Sequence, residues 1–136
     1  MGKLHLIRFL ESVWKLEQRL SAQLVDHGLT LSQFRLLLLL KNGEPQTATR
    51  LSVALGITKA TTTSLLQDLV NADLITTTAN PEDRRSILVN MNNTGKKRLH
   101  EALEGLSTLE RSLGRKLTPD VTEALNQFNL NQNDRS

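Results

Sequence analysis

A mainly α-helical fold interrupted by one β-hairpin is the class this sequence predicts, and three observations carry it. Leucine supplies 28 of the 136 residues while aromatics make up 3%, a mixture that suits packed helices and lacks the Val, Ile and aromatic content of a β-sandwich. Apolar residues step by three and four through most of the chain, the spacing of one helix face. Between residues 74 and 91 the period changes to two, as it does in strands. The length leaves room for one core of ordinary size.

The first helix runs from Leu4 to Leu24, with apolar residues at 6, 9, 13, 16, 20 and 24. That narrow seam is close to the heptad spacing of paired helices. Asp26-His27-Gly28 stops it, Gly being the residue that tolerates a left-handed C-terminal cap. Thr30 and Ser32 offer capping hydroxyls to a short second helix, Gln33 to Lys41, so rich in leucine that burial nearly all round is expected. Asn42-Gly43-Glu44-Pro45 ends it. Two short helices follow, Thr47 to Leu55 and Lys59 to Ala72, with Gly56-Ile57-Thr58 as the turn between them. Leu51, Leu55, Ile57 and Leu65 are placed to lock the pair together, and Leu65, Leu66, Leu69 and Val70 share one face. The run Thr61 to Thr63 is a poor helix former, so the second of these helices depends on Thr58 as N-cap and on the leucines that follow.

Residues 74–78 and 87–91 read as two strands, and the polar stretch 79–86 between them, with Pro81 as turn former, reads as a long charged tip. Asn92 caps a second long helix carrying Leu99, Leu103, Leu106, Leu109, Leu113 and Leu117. Thr118-Pro119 opens a final short helix, Pro being favoured at the first helical position. The polar end from Leu130 is expected to fray. Domain organisation is then a first helix over 1–28, a central lobe over 29–91 and C-terminal helices over 92–136, all intertwined in one domain.

Composition narrows the function. Seventeen basic residues against fourteen acidic leave a formal charge of +3, which permits a polyanionic partner without demanding one. The absence of cysteine excludes disulfides, thiolate metal sites and thiol redox sensing. The longest apolar run, Leu36 to Leu40, is far below the ~18 residues of a membrane span. The N-terminal residues carry no signal-peptide or myristoylation pattern, so a soluble cytoplasmic protein is expected. His5, His27 and His100 lie at no metal-ligand spacing, and no nucleophile elbow, phosphate loop or carboxylate pair is present. Neither an enzyme nor a cofactor is expected.

Helix, Gly-containing turn, helix and basic-tipped hairpin form the outline of a winged helix-turn-helix. Such a lobe suits a DNA duplex, because a helix fits the ~12 Å major groove and a hairpin can carry an arginine into the minor groove beside it. On an arbitrary hairpin Arg84 and Arg85 would read as a solvated tip. Behind a helix-turn-helix the pair reads as a probe. A helical wheel centred on the leucines turns Ala60, Thr61, Ser64, Gln67 and Asp68 outward, points Thr62 at the core and leaves Lys59 at the helix start, placed for phosphate.

At these residues the chain resembles the MarR family of bacterial regulators. Leu31-Ser-Gln-Phe-Arg-Leu-Leu, Leu55-Gly-Ile-Thr-Lys-Ala-Thr-Thr-Thr, Leu74-Ile and above all the wing Asn80-Pro-Glu-Asp-Arg-Arg-Ser-Ile-Leu-Val, with Gly95 after it, carry the likeness over roughly residues 29 to 100. The resemblance implies a winged helix-turn-helix with flanking N- and C-terminal dimerisation helices, acting as a homodimer on a pseudo-palindromic operator. It implies that Arg85 enters the minor groove, that Asp83 orients it and that Arg84 meets phosphate. It also implies a small aromatic or anionic ligand in a crevice lined from the first, second and fifth helices, where no residue stands out. Phe9 and Trp14 read as dimer-core residues, Lys96-Lys97-Arg98 as a solvated face, and Glu101, Glu104 and Glu110 as an exposed helix face.

The departures are instructive. Many relatives carry arginine at Ser64 and a basic or long polar residue at Asp68, and Asn71-Ala72-Asp73 replaces the usual Lys/Gly-rich stretch. From Thr58 to His100 six basic residues face four acidic ones, a net of +2. With about 0.9 of salt slope per phosphate neutralised, modest affinity and a shallow salt dependence follow. Asp68 would repel a phosphate but could accept from a cytosine amino group. The expected function is a dimeric DNA-binding transcriptional regulator, a repressor relieved by a small ligand. The alternative, favoured by the thin positive charge, is a winged-helix module that binds a protein partner.

Overall fold

The computed structural model describes residues 2–113 and 122–127, with side chains from residue 5 onward. Two units are distinguished, residues 1–105 and 106–136. The first comprises α1 (Gly2–Val25), α2 (Leu31–Leu39), α3 (Ala48–Leu55), α4 (Lys59–Asn71) and α5 (Asn93–Gly105), with a sheet of β1 (Gln46–Thr47), β2 (Ile75–Asn80) and β3 (Asp83–Met91) packed on α3, α4 and α5. The sheet is antiparallel in the order β1-β3-β2.

Local chemistry places the helix ends. Thr30 caps α2 in a reciprocal box, its hydroxyl accepting from the Gln33 N–H at 3.1 Å while the Gln33 side chain accepts from the Thr30 N–H at 3.0 Å. Thr47 and Thr58 cap α3 and α4 in the same extended conformation. After α4, Asp73 adopts φ +58°, a conformation that usually selects glycine, and the N–H groups of Asp73 and Leu74 bond back to the carbonyls of Val70 and Leu69. The Asn92 side chain holds this turn, donating to the Asp73 carbonyl at 2.9 Å, and also caps α5 by accepting from the Gly95 N–H at 2.8 Å.

Leu24, Leu29, Phe34, Leu36, Leu37, Leu40, Leu51, Leu65, Leu66, Leu69, Leu74, Ile75, Val89, Met91 and Leu99 make the core of this unit. Thr62 joins them at 2% exposure, its hydroxyl donating to the Thr58 carbonyl, in accord with the inward direction read from the sequence. Gly95 is packed so closely that a Cβ there would run into the Leu74 carbonyl and Met91. Gly105 lies likewise against the His27 imidazole.

Several expectations are corrected. The second helix begins two residues earlier than predicted, because the Thr30 box starts it at Leu31. It is not buried all round: Leu38 and Leu39 are 36% and 37% exposed and, with Arg35, Ala54 and Leu55, line an open cavity of about 440 Å³. Val70 also faces outward, and Leu55 and Ile57 are only half-buried, so of the four residues placed to lock the two short helices together Leu51 and Leu65 alone are buried. The hairpin is a three-stranded sheet, since Gln46 and Thr47 pair with Val89 and Leu88. The C-terminal helix is not continuous either. α5 ends at Gly105, where the chain is pressed against His27, and α6 (Ser107–Leu113) starts anew, with the Glu110 N–H bonded to the Leu106 carbonyl. Leu117, the Thr118-Pro119 helix start and the tail from Leu130 lie outside the described residues; residues 122–127 are helical.

Candidate nucleic-acid interface

Helix α4 is presented by the turn before it. Gly56 takes φ +67° and lets the chain reverse after α3, with the Ile57 N–H bonded to the Ser52 carbonyl. Thr58 then starts α4, its Oγ1 accepting from the Thr61 N–H at 3.1 Å and donating its own proton to Thr61 Oγ1 at 2.9 Å. The Thr61 hydroxyl is thereby left with its proton available to a partner outside the protein. With Thr62, Leu65, Leu66 and Leu69 buried, the opposite face of α4 is solvent-facing: Lys59, Ala60, Thr61, Ser64, Gln67 and Asp68 are all exposed. Gln67 spends one amide hydrogen on Asn71, at 3.0 Å.

The wing differs from the long loop tip expected. β2 and β3 pair one to one from Ile75↔Met91 to Ala79↔Ile87, and the next pair is Asn80↔Asp83. The turn is therefore only Pro81-Glu82, and Arg84 and Arg85 sit on a bulge of β3 rather than in a loop. Both are exposed. Asp83 does engage Arg85, but through the main chain: its carboxylate accepts from the Arg85 N–H at 3.0 Å. Among the described residues Arg35 pairs with Glu17 and the His100 ring contacts the Glu104 carboxylate, so neither wing guanidinium is tied up by an acid.

Helix and wing meet. A groove of about 200 Å³ is lined by Lys59 and Thr63 of α4, Ala48 and Thr49 of α3, and Arg85, Ser86 and Ile87 of β3. Two cations from separate elements thus border one depression, with hydroxyls beside them. That arrangement can take an anionic oxygen without dehydrating a charged group deeply. Thr49, Thr63 and Ser86 were not singled out in the sequence. A threonine two residues past the Thr47 cap and a serine on a strand carry no local signal of a shared groove. Arg98, expected on a solvated face, instead donates to the His27 carbonyl at 3.3 Å, while Glu101, Glu104 and Glu110 are exposed as expected.

Residues 27–86 match the MarR family model, a segment that takes in α2 through the wing bulge. Over that segment the chain is similar to the MarR family. Solved structures extend the likeness of fold beyond that segment. AbsC, a MarR family transcriptional regulator from Streptomyces coelicolor, superposes with a TM-score of 0.82 at 20% identity, over 98% of this chain and 93% of that one. The transcriptional repressor CouR bound to a 23-mer DNA duplex gives 0.78 at 25% identity, over 91% and 88%. A MarR variant from E. coli complexed with operator DNA gives 0.77 at 23% identity, over 93% and 92%. No curated protein matches the sequence significantly. In this lobe α4 carries Lys59 and the wing carries Arg84 and Arg85, all three exposed. Among the described residues no helix is long and apolar enough to cross a membrane.

Proposed function

We propose that this protein is a DNA-binding transcriptional regulator that works as a homodimer on a pseudo-palindromic operator, a cytoplasmic repressor relieved by a small ligand and without catalytic activity. One observation carries the proposal: Lys59 at the start of α4 and the wing arginine Arg85 border a common groove. A major-groove helix and a minor-groove hairpin must be held at a fixed offset to read one duplex, and a shared groove holds them so. Two of the three structures named above are bound to DNA, which supports this reading over that of a protein-binding module. In the proposed complex Lys59 and Arg84 meet phosphate, Thr61, Ser64, Gln67 and Asp68 face base edges, and Arg85 enters the minor groove with Asp83 ordering the wing main chain.

The second subunit is supported by α1. Leu6, Ile7, Phe9, Leu10 and Trp14 are all exposed on its N-terminal half, Trp14 by 58%. Such a cluster of large apolar side chains marks a surface that another chain covers. A ligand that binds the dimer better when its two α4 helices are wrongly spaced would shift the population off DNA.

The test is fluorescence anisotropy with duplexes from upstream of the protein's own and neighbouring genes, repeated across salt concentrations. One duplex should bind selectively, with a salt slope of few counterions, since each phosphate contact contributes about 0.9. A protein that shows no preference among duplexes at low ionic strength overturns the proposal.

A further inference from the structure

We propose that Asn80 is a positioning residue for the wing, shaping the bulge that carries Arg84 and Arg85 and through it aiming Arg85 at DNA; this rests on the DNA-binding reading above. Because Ala79↔Ile87 is followed directly by Asn80↔Asp83, three consecutive residues of β3, Arg84, Arg85 and Ser86, face no residue on β2. A bulge of that size interrupts the ladder that would otherwise define the path of the chain. Side chains must define it instead.

Asn80 does so from the point where the register breaks. Its Nδ2 donates to Ser86 Oγ at 2.9 Å, at the far end of the bulge, and its Oδ1 accepts from the Glu82 N–H at 3.1 Å, across the turn. One amide thus ties the turn to the far end of the bulge, using its donor on one side and its acceptor on the other. Asn80 and Ser86 are half-buried, whereas Arg84 and Arg85 are exposed, so the latch lies at the root of the wing and the cations at its rim. Ser86 also borders the groove that holds Arg85 and Lys59. A bulge released from Asn80 would therefore shift the Arg85 guanidinium relative to α4. An aspartate at this position could still accept from the Glu82 N–H and could take the Ser86 hydroxyl proton, reversing one bond but keeping both. A leucine of similar size could form neither.

The experiment measures anisotropy of the full-length protein on a duplex that the wild type selects from a random pool. The variants are Asn80→Leu, Asn80→Asp and Ser86→Ala, each with and without Arg85→Ala, with thermal unfolding recorded for all. Asn80→Leu should weaken binding roughly tenfold, Ser86→Ala by part of that, and Asn80→Asp by no more than about twofold. In the Arg85→Ala background these losses should shrink to the part carried by Arg84, which shares the bulge, because Arg85 is no longer there to aim. Should Asn80→Leu fail to fold, Ser86→Ala carries the same test. Losses of equal size in both backgrounds, or wild-type affinity in Asn80→Leu and Ser86→Ala, overturn the positioning role. A wild type that selects no duplex overturns the DNA-binding reading itself, and the positioning role with it.

Discussion

Arg85 approaches the groove from the wing and Lys59 from the helix start, and neither has an acidic partner among the described residues. An unpaired exposed guanidinium adds little to the stability of the free protein but is available whole to DNA. Arg85→Ala should therefore weaken operator binding by about 10–100-fold, the range of a lost minor-groove or base contact, while sedimentation shows the same oligomer. Near-unchanged affinity would remove the wing from the mechanism. Gly95 makes the opposite kind of claim. A methyl there meets a main-chain carbonyl, which has no rotamer to yield, so Gly95→Ala should cost about 1–3 kcal/mol in denaturant unfolding. An unfolding midpoint equal to the wild type's would show that the turn between α4 and β2 relaxes freely.

Among the elements, helices were the most legible and their ends followed from single residues. Thr30, Thr47, Thr58 and Asn92 each satisfy orphan N–H groups at a helix start, and three of these four were read as caps beforehand. β1 was not legible, because two residues make no periodic pattern; only the partner strand β3 defines it. The wing bulge was hidden for a related reason. A stretch of Asn, Pro, Glu, Asp and Arg reads as loop, yet Asn80 closes a two-residue turn and returns the arginines to a strand. The break at Gly105 escaped a leucine pattern that runs on past it. α1 leaves Leu10 and Trp14 exposed, and α6 carries Leu109 and Leu113 only half-buried. Trp14→Glu in α1, or Leu113→Asp in α6, should then raise the dimer dissociation constant by at least about tenfold in analytical ultracentrifugation, as loss of a central apolar anchor does. A variant that stays as tightly dimeric as the wild type would place the interface elsewhere.

At the scale of the whole molecule, the governing quantity in the proposed dimer is the separation of its two α4 helices. Within a lobe Leu65, Leu66 and Leu69 anchor α4 in the core, so the spacing of the two helices is set by how the lobes are joined. Two recognition helices bind successive major grooves only when about one helical turn, ~34 Å or a multiple, separates them. Inserting about five base pairs between half-sites turns the second site to the far face of the duplex and should abolish tight binding in a shift assay; about ten should restore part of it. Equal affinity for all three spacings would mean that the lobes bind independently.

Periodicity, caps and turn residues determined that this chain forms a helix-turn-helix followed by a hairpin, because those features depend on residues three or four positions apart. The exposed face of α4 was equally available, since burying Thr62 and the leucines dictates which way Ser64, Gln67 and Asp68 point. Only the tertiary structure decided that Thr49, Lys59, Thr63, Arg85 and Ser86 share one groove, and that Asn80 grips the bulge carrying the arginines. Those contacts join segments of different helices and strands, and no local periodicity encodes the register and packing that bring them within reach of one another.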